Sequence, residues 1–324
     1  MIGVITFFML SGFLLTYKMG TIPILNWKER ISECWAKFHK LYLLYLLTFL
    51  FAFLGKQIFP QNISDWCFTL ISLPFNLTYT QDLIPLVRIN ISFNGPAWYI
   101  SAMFIIWIII YCFATKINKI KHLNIKTCLI GILTIISIQI VYKIFEYLFP
   151  TNIIPINHPD IYMSWISYYS PFYNLLYFIL GCFIGRLAVL NKTNSITNTY
   201  ITLIIIFVLI SLYIYYNNCF FKYFKPILME IFISIFLLKI ISPKSIIGRF
   251  LSIRPLVWFG NISASFFLIH GVVNYNLRYI EDYIDKPLLF IISLLITIVL
   301  SILSEKYLIL EKNENLLQRI RKIA

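Results

Sequence analysis

This chain reads as an all-α polytopic membrane protein. Of its 324 residues, 60% are hydrophobic and only 12% charged, where an ordinary soluble domain carries about 25% charged residues. The apolar residues gather in blocks long enough to cross a bilayer. Lys and Arg sit in the segments between those blocks, which is how membrane orientation is encoded. So much apolar surface cannot be hidden in a single water-facing core. The composition therefore excludes a soluble enzyme, and with it a disordered, collagen-like or disulfide-scaffold chain. One membrane domain is expected over residues 1–324.

Nine apolar blocks run at about 2–17, 41–55, 97–114, 126–149, 172–190, 199–216, 226–241, 256–275 and 287–308. Ile, Phe and Tyr dominate them and would favour strands in water. In a bilayer only helices and closed barrels satisfy their own backbone. Continuous apolar runs differ from the alternating segments of a barrel, so nine transmembrane helices are expected. Some blocks fall short of the ~20 residues of a straight span and lean on interfacial Tyr and Trp.

Charge placement sets the orientation. One set of connections, which includes Lys28–Lys40, Lys116–Lys126 and the C-terminal segment, holds 20 of the 27 Lys and Arg residues; the opposite set holds 6. The first set is expected in the cytoplasm, with the C-terminus inside. Residues 56–96 and 150–171 are then outer loops, and their Trp, Asn and Asp residues suit either carbohydrate or the membrane interface. An odd number of spans would leave Met1 outside at the head of an apolar helix, which points to a further span before it. The net charge of +14 is spent on this asymmetry, so no nucleic-acid partner is expected. The six cysteines are scattered without CxxC, so neither a disulfide framework nor a metal site is expected. No P-loop, G-x-S-x-G or G-x-G-x-x-G occurs, and five N-x-S/T triplets are what so Asn-rich a chain gives by chance.

Ionisable groups within spans are functional candidates by default. His270, in the eighth block, can move a proton or join two helices. Glu230 and Lys239 share the seventh block about 13 Å apart, with Glu230 expected near the outer surface and Lys239 snorkelling inward. Lys143 and Glu146, three apart, are expected to pair. Beside the membrane, Lys28, Arg30, Lys37, His39 and Lys40 alternate with Trp27, Trp35 and Phe38. Such a patch holds either the phosphates and base of a cofactor or anionic membrane lipid.

Several segments together resemble one family, the membrane-bound acyltransferase-3 family. Gly3–Leu15 (GVITFFMLSGFLL) is similar to its G-V-x-x-F-F-x-x-S-G-F-L motif, and Lys37–Leu43 to its R-x-x-R-I-x-P motif. Asn94–Ser101 (NGPAWYIS) resembles N-x-P-x-W-x-L-S, Tyr177–Gly185 its F-x-x-G-x-x-x-G helix, and Gly260–His270 its late G-x-I-S…L-x-H segment. The chain departs from the pattern at Lys37, Lys40, Leu43 and Met103, and it begins where members have their second of ten spans. The resemblance implies transfer of an acetyl group from cytoplasmic acetyl-CoA to a sugar hydroxyl of an extracytoplasmic saccharide, without a metal, in the cytoplasmic membrane of a bacterium. It implies His270, Ser101 and Trp98 in the catalytic site, and Arg30, Lys37 and Lys40 at the acyl-CoA phosphates. A transporter or flippase for a lipid-linked sugar, or a non-catalytic partner in glycan assembly, is the alternative from another class.

Overall fold

The computed structural model describes residues 2–18, 21–58, 63–148, 165–191, 219–241, 245–281 and 283–308. Among these residues the chain is helical and contains no strand. The longer helices are α1 (Ile2–Tyr17), α2 (Trp27–Ile58), α3 (Ile63–Leu77), α5 (Trp98–Cys112), α7 (Ile125–Leu148), α8 (Pro171–Asn191), α9 (Cys219–Ile240), α11 (Arg254–Leu277) and α12 (Lys286–Tyr307). Short helices α4 (Val87–Asn90), α6 (Ala114–Ile120) and α10 (Ile246–Leu251) connect them. Among the described residues six helices are long and apolar enough to cross a membrane: those at Trp27–Gly55, Gly95–Cys112, Ile125–Leu148, Pro171–Leu190, Arg254–Leu277 and Lys286–Tyr307. The blocks at 2–17 and 226–241 are helical as expected, in α1 and α9. The block at 199–216 lies outside the described residues.

The chain divides into two compact units. The first comprises Met1–Trp27 with Ile105–Ser252, and the second Lys28–Phe104 with Ile253–Ala324.

In the first unit, α1 lies directly on α8. Three glycines allow it. A Cβ on Gly12 would overlap the Phe178 carbonyl, one on Gly181 the Met9 carbonyl, and one on Gly185 the Thr16 hydroxyl and Phe13 carbonyl. Thr16 seals the seam by donating from Oγ1 to the Cys182 carbonyl at 2.8 Å. Small residues let apolar helices approach where no hydrophobic force drives them together. The chain after α1 is pinned by Asn118 of α6, whose side chain exchanges two 2.8 Å bonds with the backbone of Ile22. Arg186 of α8 donates from Nε to the Leu123 carbonyl at 2.9 Å, closing the turn before α7. The expected Lys143–Glu146 pair is present at 2.7 Å. Glu230 is completely buried within the unit. The cause is packing of α9 against both α7 and α8.

The second unit corrects the reading of residues 56–96 as an outer loop. Phe53 of α2 meets Trp66 near the start of α3, at 6.4 Å between ring centroids. At the far end of α3 the Tyr79 ring sits among Trp35, Phe38, Tyr42 and Tyr45 of α2. From Phe38 to Phe53 is about 22 Å of helix, so α3 runs back along most of α2. The return brings Phe93 against Phe49, at 4.1 Å between centroids. Residues 63–93 are therefore a re-entrant hairpin beside α2. Pro74, Asn76 and the polar run after them gave its sequence the look of a loop. The basic run Lys28–Lys40 is likewise the first turns of α2, continuous with the span. α12 lays Ser293, Thr297, Ser301 and Ser304 along one buried stripe; α11 packs on α12. Ser293 bonds Asn274, and Ser265 donates to Glu305 at 2.8 Å.

The α1–α8 seam makes a prediction. Gly181→Leu should lower stability by about 1–3 kcal/mol, the usual cost of forcing atoms into a packed contact, whereas Gly3→Leu, with open space at its Cβ, should be neutral. Thermal unfolding in detergent, followed by a thiol-reactive dye reporting exposure of the buried Cys182, distinguishes the two.

Candidate functional site

The six residues that the resemblance implies at the site, Arg30, Lys37, Lys40, Trp98, Ser101 and His270, all fall in the second unit. The site is best built from Asn94, which precedes the first turn of α5. Its amide donates to the Thr48 hydroxyl on α2 at 3.1 Å and to the Leu268 carbonyl on α11 at 2.8 Å. Pro96 fits against Gly271, where any Cβ would overlap it. The start of α5 is thus fixed between two other helices, one turn or less from Trp98 and Ser101.

Trp98 is buried. Its ring touches Tyr99 at 6.5 Å, Tyr99 meets Phe267 at 5.5 Å, and Phe267 meets His270 at 5.6 Å between centroids. The structure thereby joins Trp98 and His270 through two aromatic rings. His270 is partly buried and nearly parallel to the Phe266 ring. Its Nδ1 lies 3.2 Å from the Phe266 carbonyl. A carbonyl only accepts, so this contact assigns the proton to Nδ1 and leaves Nε2 as the acceptor nitrogen of the neutral ring.

Ser101 is fully buried and occupied on both sides. It donates to the Tyr79 carbonyl at 2.9 Å and accepts from the Asp82 backbone N–H at 3.2 Å. Its hydroxyl therefore holds the tip of the hairpin. Tyr79 has φ 57°, a left-handed conformation uncommon for a residue with a bulky side chain, and the Ser101 bond helps secure it. Around the tip, Tyr45 and Tyr42 donate to the carbonyls of Asn76 and Leu77 at 2.7 and 2.9 Å, closing the end of α3. Asn76 donates to Ser92 at 3.0 Å, and Asn90 to the Gln81 carbonyl at 2.6 Å. Asp82 and Gln81 are completely buried there. None of Asn76, Tyr79, Gln81 or Asp82 was among the residues the sequence singled out. The polar run Tyr79–Asp82 was visible, but nothing local said that it folds inward.

The cations stand apart from this cluster. Lys37 and Lys40 are exposed and Arg30 partly so. At about 100° per residue, Arg30 and Lys37 point some 100–120° around α2 from the face that holds Tyr79, and Lys40 points away from it. The three share one side of the helix over about 15 Å, a spacing that a phosphorylated ligand lying along the helix can reach. Among the described residues no group of three His, Cys, Asp or Glu side chains is placed to hold a metal.

A family model described as an acyltransferase domain matches residues 1–306. The chain belongs to the acyltransferase-3 family. No curated protein and no solved structure matches it. Membership makes this chain an acyltransferase, and so implies an acyl donor and an acceptor substrate. The motifs read from the sequence map onto structural joints of this acyltransferase: Gly12 with Gly181 and Gly185 at the α1–α8 seam, Asn94 with Gly271 where α5 meets α11.

Asn94→Leu keeps the volume and removes both donated bonds, leaving the Leu268 carbonyl and Thr48 hydroxyl to lose a partner. The expected cost is about 1–3 kcal/mol, read as a lower unfolding temperature in detergent, and Asn94→Asp should be no better because a carboxylate cannot donate to a carbonyl.

Proposed function

We propose that this acyltransferase moves an acetyl group from cytoplasmic acetyl-CoA to a hydroxyl of an extracytoplasmic glycan or glycolipid in a bacterial cytoplasmic membrane. The observation that carries the reading is the His270 ring, tied by Nδ1 to its own helix and leaving Nε2 to accept a proton. In the reaction the hydroxyl O–H bond breaks and its proton goes to a base. The hydroxyl oxygen attacks the thioester carbonyl, the C–S bond breaks, and the thiolate leaves to be protonated as a thiol. Nε2 of His270 serves as the base that takes the hydroxyl proton. Trp98 supplies an apolar wall for the sugar face. Ser101 is a positioning residue, acting through Tyr79 and the hairpin tip. Arg30, Lys37 and Lys40 receive the phosphates of the donor as point charges along α2.

His270→Asn tests the base. Asparagine places an N–H close to where Nδ1 stands, so the bond to Phe266 survives while Nε2 is gone. Transfer, assayed as acetate released by alkali from surface glycan, should fall by about 10²-fold or more with unfolding unchanged. Full transfer by this variant removes His270 from the chemistry. Failure of labelled acetyl from acetyl-CoA to enter any glycan or glycolipid with the wild-type protein overturns the reading as a whole.

The donor site has its own test. Neutralising both Lys37 and Lys40 to Gln should weaken acetyl-CoA binding about three- to tenfold, the modest effect expected of exposed charges, without altering the unfolding temperature. Unchanged affinity in the folded double variant would assign the patch to anionic lipid.

A further inference from the structure

The first unit holds a second polar cluster that the proposed chemistry does not use. It sits where α7, α8 and α9 pack on one another. Glu230 of α9 and Gln139 of α7 are both completely buried, and Lys143 of α7 nearly so. Lys143 donates to Glu146 at 2.7 Å. Its ammonium also lies over the rings of Tyr142 and Tyr173, at 5.7 and 5.6 Å from their centroids. Gln139 and Lys143 face the Glu230 carboxyl from α7, and Tyr173 and Tyr177 face it from α8. Yet neither oxygen of Glu230, neither polar atom of the Gln139 amide, nor the Tyr173 hydroxyl makes a well-aligned hydrogen bond among the described residues.

The charges do not balance. Among the described residues Lys143 is the one cation facing the two carboxylates, and it is committed to Glu146. The other helices packed on α9 add little: α1 carries no charged residue, and α10 brings only Arg249. On α9 itself, Lys222 and Lys225 are eight and five residues before Glu230 and Lys239 nine after it, so all three lie a turn or more along the axis. An unpaired carboxylate ion in such surroundings is costly. One positive charge must come from elsewhere. A metal cation would meet the Lys143 ammonium at close range, whereas a proton neutralises Glu230 and turns it into a donor for the empty Gln139 carbonyl.

We infer that Glu230, with Gln139 and Lys143, is an exchangeable proton-binding site within the membrane-spanning part of the first unit. The protonated acid donates to Gln139; on release of the proton, the carboxylate draws on Lys143, which it shares with Glu146. The use such a site would have rests on the proposed reaction: a hydroxyl gives up a proton and a thiolate takes one, so a proton has to be moved between them. The site itself does not depend on that reading.

Infrared spectroscopy of the purified wild-type protein in lipid nanodiscs is the test. A carboxylic-acid carbonyl band should be lost as pH is raised and return as it is lowered, and should shift on transfer to heavy water. Glu230→Gln should lack the Glu230 contribution to that band, read as a wild-type-minus-variant difference, while unfolding at the wild-type temperature. Gln139→Leu, a second variant should the first fail to fold, should shift its frequency by removing the acceptor. In the difference between the wild-type and Glu230→Gln spectra, which cancels the buried Asp82 carboxyl, a band absent at acid pH or one that persists unchanged to alkaline pH overturns the site. The same wild-type titration at several sodium concentrations separates the ions: competition by sodium overturns the proton assignment in favour of a metal cation. Loss of acetyl transfer in any of these samples leaves the infrared result intact, so failure of this site and failure of the proposed reaction are read separately.

Discussion

In surroundings with no water to answer them, the polar groups of this chain have to answer one another, and that constraint shapes both units. A buried group without a partner costs more than most single contacts return. The chain responds by using short amides and hydroxyls as joints. Asn94 ties α5 to α2 and α11. Asn76 and Asn90 hold the backbone of the re-entrant hairpin. Asn118 ties the segment after α1 to α6, and Thr16 caps the close seam on α8. Each joint sits where two segments of the chain approach.

The same logic organises the candidate site. Trp98 and His270 gain their positions from a helix start that is bonded on two sides. The Ser101 hydroxyl is spent on the hairpin tip, so that tip is part of the site's scaffold. Preorganisation of this kind is what an acyl-transfer centre requires, because the reacting groups must meet without the protein having to rearrange. The re-entrant segment also places buried carboxyl and amide groups beside α5, a polar environment that no spanning helix supplies alone.

Much of the fold was legible because hydrophobic blocks of span length leave few alternatives. The blocks containing α5, α7, α8, α11 and α12 match helices of the structure closely, and the Lys143–Glu146 pair followed from spacing on one helix. The hairpin was not legible. α3 is only 15 residues long with Pro74 inside it, and its partners, Phe53 at one end and Trp35 at the other, are set by a tertiary path that leaves no periodic signal. The burial of Glu230 was not legible for a similar reason: its neighbours come from two other helices. At the site, His270 and Trp98 stood out as residue types. The assignment of the Nδ1 proton, and the structural duty of Ser101, depend on which carbonyls lie nearby, and sequence does not carry that.

The seam between α1 and α8 has a consequence for how the protein is made. Thr16 and Cys182, which meet there, are 166 residues apart in the chain. At a synthesis rate of about 5–20 residues per second, α1 waits on the order of 10–30 s before its partner is built. During that interval a 16-residue helix of about 24 Å, shorter than the ~30 Å hydrocarbon core, leaves the face around Gly12 and the Thr16 hydroxyl without its partner. Early helices of this chain therefore depend on lateral shelter, from lipid or from the insertion machinery, until the C-terminal half of the first unit arrives.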